Sequence, residues 1–584
     1  MAPSAIDPPS FSNLSPDVPR ILIPEKLSPE GLALLSSSGF HLDIPPPGSL
    51  SPEDLAAKIG SYQALIVRSE TKVTASLLSA GSKLKVVARA GVGVDNIDVK
   101  AATERGVIVV NSPSGNILAA AEHTIALLMA TARNVPRGDT TLKQGKWERG
   151  KLVGVEVGGK TLGIVGLGKV GLKVARVASQ GLGMTVIGLD PYASAEVAKA
   201  AGVSLVGSLD ELLPQVDFLT AHTPLLASTL NLLGEEQFKK MKKTARVLNV
   251  ARGGVYNEEA LLKALDEGWI AGAGIDVFTQ EPPKEGSIPL TLAQHPKVVS
   301  TPHLGASTVE AQENVSIDVC KQVVEILKGG LPTAAVNAPL ILPEEYRRLQ
   351  PFVKLVEKIG SLHTQHYANP NPKSTTTTTT TRRFELIYHG DLATITNTRP
   401  LFAALVKGLV TPISNTNINI VNATLIAKDR GIAIDEKHVS SHSSTYASAV
   451  TLRSISTTDN NDSDQIIEGY VSGNAVFISK LDRFAANFTP EGTLLILHNY
   501  DEPGKIGNVG MVLGRHGINI TFMQVAGLNQ EARRKVVDDG PVDDSGNGLK
   551  EALMILGVGG EVTKELIGEL GRQEGILDVS VVRL

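Results

Sequence analysis

Cysteine is almost absent from this chain: Cys320 is the only one in 584 residues. That excludes an internal disulfide and any cysteine-rich metal site, so no metal is expected, and it fits a reducing compartment. Cys320 itself reads as a small buried apolar side chain on a helix. Aromatic residues are scarce at 4%, while Ala, Val, Leu, Ile and 56 glycines dominate, a composition that suits parallel α/β sheets. No charge sign prevails: 56 Lys and Arg face 60 Asp and Glu for a net charge of −4, with no long basic run. Nucleic acid and anionic membrane surfaces are therefore not expected partners. No apolar run approaches a membrane span. The Pro- and Ser-rich start, which contains Asp7, lacks both the arginine-rich character of a transit peptide and the apolar stretch of a secretory signal. A soluble cytoplasmic protein with residues 1–17 as a disordered leader is the expectation. The chain is too long for one core, and three or four domains are expected.

Short apolar runs at Ile21–Ile23, Ala64–Val67, Leu84–Val87 and Val107–Val110 alternate with helical stretches, the pattern of a parallel sheet. A long apolar helix from Ala119 to Ala132 leads to further strands at 216–220, 246–250 and 272–276. The first 300 or so residues thus hold two doubly wound units. Beyond Asn337-Ala-Pro339 the character changes. The threonine run Thr375–Thr381 and the polar tract Thr457–Asp464 read as solvated loops. Between them Phe384–Tyr388 and Ala423–Ala427 are strand and helix material of an α+β domain. From Thr493 the order is strand 493–498, helix 504–516, strand 518–525, strand 552–557, helix 561–573 and strand 576–583. That is a βαββαβ, ferredoxin-like order.

The most specific motif is Gly163-Ile-Val-Gly166-Leu-Gly168-Lys169-Val170-Gly171, where an apolar strand runs into three spaced glycines and a helix. Gly166 permits the tight turn, Gly168 lets a pyrophosphate approach the backbone, and Gly171 lets helix pack on strand. A second apolar strand ends in Asp190, at the roughly 20-residue separation at which a carboxylate accepts the adenosine ribose hydroxyls. Asp190 would repel a 2′-phosphate, and Pro191-Tyr192-Ala193 supply no arginine to receive one. The cofactor expected is NAD rather than NADP.

Three further elements stand at strand ends behind this site: Arg252 beside two glycines, Asp276 and Glu281 after another strand, and His303 in a loop. Ligands of an open α/β sheet sit at the carboxyl ends of its strands, so the three can converge on one crevice. Removing hydride from a secondary alcohol requires a base for the hydroxyl proton, the work of a histidine. A carboxylate on its other ring nitrogen would hold the tautomer, and Glu281 with His303 can be this pair. Arg252 can grip a substrate carboxylate through two parallel hydrogen bonds.

The strings Gly163–Gly171, His222-Thr223-Pro224-Leu, Asn249-Val-Ala251-Arg252-Gly-Gly, Gly274-Ile-Asp276-Val-Phe and Thr301-Pro-His303-Leu-Gly-Ala-Ser-Thr resemble the D-isomer-specific 2-hydroxyacid dehydrogenase family, over residues 20 to 335 or so. The resemblance implies Arg252, Glu281 and His303 as the catalytic set. It also implies cofactor contacts from Gly166 to Gly171, with Lys169 and Val170 among them, and from Asp190, His222, Thr223, Pro224, Ala251 and Asp276. It implies a substrate domain split between 18–118 and 301–337 around an NAD-binding Rossmann domain at 119–300. Arg68 and Arg89, with the loop Gly91-Val92-Gly93 and Asn116, resemble the members that take 3-phosphoglycerate, where arginines bind the phosphate and the glycine loop receives the carboxylate. One of Arg133 and Arg137, in a stretch resembling a dimer arm, would reach the neighbouring site.

Residues 338–490 are similar to the intervening regulatory domain of the family's long forms, through Tyr388-His-Gly-Asp and Val421–Gly431. Residues 491–584 resemble an ACT domain, in which two copies bind an amino acid between them. Asn499, Asp501 and Asn519 match its ligand loop, although Asn499 stands where some versions carry a histidine, with His498 beside it. The activity implied is NAD-dependent oxidation of 3-phospho-D-glycerate to 3-phosphooxypyruvate, the first step of L-serine biosynthesis, in a homotetramer that L-serine regulates if the ligand loop is intact. Another D-2-hydroxyacid dehydrogenase, or a glyoxylate or hydroxypyruvate reductase, is the rival enzyme, and the two appended domains weigh against the reductase. A non-catalytic NAD-sensing adaptor is the rival of another class, and the intact Arg252, Glu281 and His303 weigh against that.

Overall fold

The computed structural model describes residues 18–339, 341, 343–367, 382–414, 416–440, 446–455, 465–528 and 550–584. The leader 1–17, expected to be disordered, and the run Thr375–Thr381 and tract Thr457–Asp464, expected to be solvated loops, lie outside the described residues. The chain divides into two compact units, one reaching to Lys72 and taking in Val87–Ile97 and Val110–Lys328, the other made of Val73–Val86, Asp98–Val109 and Gly329–Leu584. Among the described residues no helix is long and apolar enough to cross a membrane.

The first sheet contains β1 (Arg20–Leu22), β2 (His41–Asp43), β3 (Ala64–Val67), β4 (Val86–Arg89) and β5 (Ile108–Asn111), in the order β2-β1-β3-β4-β5. Ala64 to Val67 are buried without alternation, as in a parallel strand covered on both faces. The apolar run at Leu84 joins the sheet only at Val86, because the Leu84 amide is held by the Gly81 carbonyl in a turn. The helix Val309–Leu327 returns to this sheet and packs on the helix Pro29–Ser37, where the Ser28 amide donates to Ser316 Oγ at 3.2 Å. Cys320 is fully buried on that returning helix, and burial pushes its thiol up to about 12.

The second sheet contains β6 (Thr161–Val165), β7 (Thr185–Leu189), β8 (Val203–Leu205), β9 (Phe218–Ala221), β10 (Arg246–Asn249), β11 (Gly272–Ile275) and β12 (Val298–Ser300), in the order β12-β11-β10-β9-β6-β7-β8. Its pairs are parallel. Chain order reverses between β6 and β9, and the crevice beyond the carboxyl ends of such strands is where ligands bind. The helix Ile117–Arg133 buries Ala121, Thr124, Leu127, Leu128, Thr131 and Ala132 at helical spacing and stops at Asn134, which has φ 54°.

In the second unit β13 (Arg382–Gly390), β14 (Ile432–Val439), β15 (Ser448–Ile455), β16 (Ile466–Ser472), β17 (Ala475–Leu481) and β18 (Phe484–Phe488) form a mixed sheet. Only β13 and β14 pair in parallel, and the helices Arg399–Val410 and Ala423–Asp429 provide the crossover that a parallel pair needs. The last sheet holds β19 (Thr493–Tyr500), β20 (Asn519–Gly527), β21 (Glu551–Gly559) and β22 (Ile576–Arg583) in the antiparallel order β20-β21-β19-β22. The helices Lys505–Arg515 and Lys564–Leu570 cover one face, burying Val509, Leu513, Leu566 and Leu570 against Leu495, Leu497 and Leu556. This is the ferredoxin-like arrangement.

Candidate active site

The glycine turn after β6 has the geometry of a phosphate cradle. Gly166 has φ 93°, and a Cβ there would stand 2.7 Å from the His222 carbonyl oxygen. A Cβ on Gly171 would overlap the Gly166 carbonyl oxygen, so the helix sits on the strand only without one. Around Gly168 a Cβ would meet nothing within 4 Å, and Gly168 opens the helix Lys169–Arg176 with no side chain capping it. Helix amides facing open space at a glycine are an anion site. Asp190 closes the turn from the next strand: Oδ2 accepts the Leu167 amide and Oδ1 the Tyr192 amide, each at 2.8 Å. Each oxygen keeps a lone pair for a ribose hydroxyl.

His222 and Thr223 border the same turn. His222 Nε2 lies 3.1 Å from Thr220 Oγ1, and burial lowers the imidazole to about 4, so it is neutral at pH 7. Thr223 Oγ1 is buried with no hydrogen-bond partner among the described residues. Pro224 beside it is exposed, and Val170 packs its partly buried side chain on the core under the turn. Ala251 is fixed by Asn249, whose Oδ1 accepts the Ala251 amide at 3.1 Å while Nδ2 donates to the Arg252 carbonyl at 2.9 Å. Lys169 Nζ reaches across to Ser114 Oγ at 2.8 Å. Cradle, orphaned hydroxyl and paired ribose acceptor fit a dinucleotide without a 2′-phosphate.

At the neighbouring strand ends His303 Nδ1 lies 2.7 Å from Glu281 Oε2, with both side chains partly exposed. A carboxylate there fixes the ring proton on Nδ1 and leaves the Nε2 lone pair free to accept another. Burial pushes the Glu281 carboxyl up, but its hydrogen bonds to His303 and to the Phe278 amide outweigh this and hold it below the usual range. His303 has φ 55°, a left-handed conformation for a residue with a side chain. Asp276, only 1% exposed, accepts the Leu304 amide on Oδ1 at 2.7 Å and the Gly305 amide on Oδ2 at 2.8 Å. Its carboxylate is thus engaged with the histidine loop.

Three guanidinium groups gather at the Gly91–Gly93 loop. Arg252 Nε donates to Asp95 Oδ2 at 3.2 Å and Nη1 to its neighbour's carbonyl at 2.6 Å. Arg89 donates from Nε to the Arg68 carbonyl at 3.2 Å. Burial, with the nearby charges of Arg252 and Arg68, lowers the Arg89 pKa against the opposing pull of Asp95 and Glu25. Like charges gathered at a loop of glycines are held for an anion. The glycines are required by contact: a Cβ at Gly91 would overlap the Arg89 guanidinium, and one at Gly93 would overlap Arg252 Nη2 and stand 2.7 Å from Asp95 Oδ2. Val92 lies between them, and Asn111 Nδ2 donates to its carbonyl. Glu25, 8% exposed, accepts the amides of Arg68, Glu70 and Thr71 and so shapes the loop that carries Arg68.

Other expected residues stand elsewhere. Asn116 precedes the helix Ile117–Arg133 without a side-chain cap bond. Arg133 and Arg137 are exposed, and Arg137 lines a small cavity with Arg246, Gly272, Lys297 and Val298, at the amino ends of β10, β11 and β12. That is the edge opposite the carboxyl ends of β10 and β12, which Arg252 and His303 follow. In the terminal domain Asp501 and Asn519 are exposed, whereas Asn499 is 2% exposed, with Nδ2 on the Tyr500 carbonyl and Oδ1 unpartnered among the described residues.

Sequence reasoning did not single out His123, Asn249, Glu25 or Asp95. Asn249 lies inside a quoted motif string, Asp95 stands two residues after the Gly91-Val92-Gly93 loop, and Glu25 is a lone carboxylate after an apolar strand. His123 carries no sequence signal, since its partners are distant in the chain.

The D-isomer specific 2-hydroxyacid dehydrogenase NAD binding domain model matches residues 125–305, and the D-3-phosphoglycerate dehydrogenase intervening domain model matches 348–476. The chain is 42% identical over 580 residues to D-3-phosphoglycerate dehydrogenase 2, chloroplastic, of Arabidopsis thaliana, covering 97% of this chain and 87% of that one. It is 39% identical to D-3-phosphoglycerate dehydrogenase of Methanocaldococcus jannaschii, covering 97% of this chain and 100% of the relative. Among solved structures the TT0316 protein of Thermus thermophilus matches with TM-score 0.50 and 33% identity, over 54% of this chain and 99% of its own. A glyoxylate reductase from Paecilomyes thermophila matches with TM-score 0.50 and 29% identity, over 56% and 99%.

Proposed function

This chain belongs to the D-isomer-specific 2-hydroxyacid dehydrogenases, on their D-3-phosphoglycerate dehydrogenase branch, and from that premise we propose how its residues carry out the reaction. It is an NAD-dependent dehydrogenase that oxidises 3-phospho-D-glycerate to 3-phosphooxypyruvate, opening L-serine biosynthesis. The carrying observation is the His303–Glu281 pair on the same unit as Arg252, Arg89 and Arg68, which gather at the Gly91–Gly93 loop. The substrate bears a carboxylate and a phosphate of about −1.5 to −2 charge, and three guanidinium groups answer that charge.

In this reading Arg252 takes the carboxylate and aligns C2, while Arg68 and Arg89 take the phosphate. His303 Nε2 removes the C2 hydroxyl proton, and Glu281 stabilises the imidazolium that results. Bound NAD supplies the two-electron hydride acceptor. The Gly166–Gly171 turn and Asp190 would hold the pyrophosphate and ribose, with Lys169, Val170, His222, Thr223, Pro224 and Ala251 around them, while Asp276 acts through the His303 turn that it anchors.

The same reading extends to assembly. Residues 18–118 with 301–337 act as the substrate domain, 119–300 as the cofactor domain, 338–490 as the intervening domain and 491–584 as an ACT domain. Val135, Leu142, Trp147 and Val153 are exposed along the segment that bears Arg133 and Arg137, which supports a dimer arm donating an arginine to the partner's site. With paired ACT domains this makes a cytoplasmic tetramer whose effector, L-serine, meets Asp501 and Asn519, with Asn499 beneath them. The test is NADH formation from 3-phosphoglycerate, with and without L-serine, in the full chain and in His303→Ala. The variant should lose roughly 10²–10⁴ in turnover with NAD affinity kept. Near-normal turnover would remove His303 from the mechanism.

A further inference from the structure

His303 is held in the left-handed region without being glycine, so its surroundings must determine it. Its amide donates to the Asp276 carbonyl at 2.9 Å, and the next two amides, of Leu304 and Gly305, donate to the Asp276 carboxylate. Thr301 Oγ1 donates to Asp276 Oδ1 at 2.6 Å from the start of the same loop. One carboxylate with no exposed side-chain surface therefore gathers both ends of the turn that presents the histidine.

A side chain from another element completes this knot. His123, on the helix Ile117–Arg133, places Nε2 3.2 Å from Asp276 Oδ1 and 3.0 Å from Thr301 Oγ1. The Thr301 hydroxyl proton is already given to Asp276, so toward His123 both oxygens act as acceptors. Nε2 of His123 must then carry a hydrogen, and the ring is a donor shared between the two oxygens. Among the described residues, the side-chain hydrogen bonds of His123 go to Asp276 and Thr301. It adds a donor from the helix to the Asp276–Thr301 pair and so ties both side chains to a second element.

We propose that His123 is a positioning residue for proton transfer, locking Asp276 and Thr301 so that the 301–305 turn holds the His303 ring against Glu281. The inference rests on the dehydrogenase reading only for its catalytic consequence. The full-chain variants His123→Leu and His123→Gln test it, the first removing the donor at similar volume and the second restoring an N–H.

Two measurements are made on each: kcat and KM for NAD and 3-phosphoglycerate, and amide hydrogen exchange of the peptide spanning 301–305. In His123→Leu, kcat should fall about tenfold or more with both KM values within about twofold, because a small misplacement of the base is felt in turnover. Exchange at 301–305 should quicken with the rest of the first unit unchanged, and His123→Gln should recover most of both. Unchanged exchange and turnover in His123→Leu overturns the proposal. So does faster exchange throughout the unit, or a His123→Gln protein no better than His123→Leu. If the wild type fails to oxidise 3-phosphoglycerate, the substrate assignment falls while exchange still decides the role of His123. Should His123→Leu not fold, Thr301→Val removes the other side-chain donor to Asp276 Oδ1 and is read in the same two ways.

Discussion

Gly93→Ala separates the grip on the substrate from the stability of the fold. A Cβ at position 93 would overlap Arg252 Nη2, lie 3.0 Å from Arg252 Cζ and stand 2.7 Å from Asp95 Oδ2. Comfortable contact needs about 3.5–4.0 Å, so the guanidinium must retreat by about 1 Å or more. Both obstructing groups are the far ends of flexible side chains, and Gly93 does not sit in the left-handed region, so backbone and core need not move. The expected cost to folding is therefore within about 1 kcal/mol. A misplacement of about 1 Å at a substrate-orienting group costs roughly 10²-fold in rate, which is about 2.7 kcal/mol of transition-state stabilisation. Steady-state NADH formation from 3-phosphoglycerate, with thermal melting on the same preparation, checks it. The contrasting variant is Gly171→Ala, whose Cβ would overlap the Gly166 carbonyl oxygen, a backbone atom, and which should therefore lose NAD binding and stability together. A Gly93→Ala enzyme with kcat/KM within about twofold of wild type would refute the placement of Arg252 as the substrate clamp.

Three other outcomes follow from the site. Arg89→Ala should weaken 3-phosphoglycerate much more than an unphosphorylated 2-hydroxy acid, since only the former loses a charge-assisted contact, and equal losses in KM would reassign Arg89 to the fold. Asp190→Ala should raise the KM for NAD and narrow its preference over NADP, because the ribose acceptor and the repelling charge leave together, while an unchanged cofactor preference would make Asp190 a turn residue only. Burial works to raise the Asp276 carboxyl, but bonds from His123, Thr301, Leu304 and Gly305 hold it below its ordinary 3.8. Its folded value is depressed, so the stability it contributes is fully present above the unfolded value and is lost as pH falls through the folded one. Thermal melts between about pH 3 and pH 6 should accordingly show a shallower acid loss in Asp276→Asn than in wild type, and identical slopes would contradict the lowered pKa.

Much of the architecture is written locally in the chain. Alternation of short apolar runs with helical stretches announces parallel sheets because strands covered on both faces are apolar along their length, as Ala64–Val67 is. The Gly166–Gly171 turn is legible because its constraints are backbone constraints: positive φ at Gly166 and the clash at Gly171 admit no other residue type. The terminal βαββαβ order follows from a change of hydrophobic period along one contiguous stretch.

Tertiary structure alone decided what depends on groups far apart in the chain. That Arg68, Arg89 and Arg252 stand together at the Gly91–Gly93 loop is a property of two sheets meeting at their strand ends, and no local pattern encodes the meeting. Nor does any pattern show that Arg137 lies at the amino ends of β10 to β12, away from its own chain's histidine. The Asp276 carboxylate, expected from its motif at the cofactor, turned out to anchor the 301–305 turn, and His123, unremarked on its helix, turned out to brace it. Sequence determines which conformations each backbone segment can adopt and which faces must be buried. Which side chains then share a hydrogen bond is settled only when packing brings helix 117–133, the strand before Asp276 and the loop of His303 within about 3 Å of one another, the range over which such bonds act.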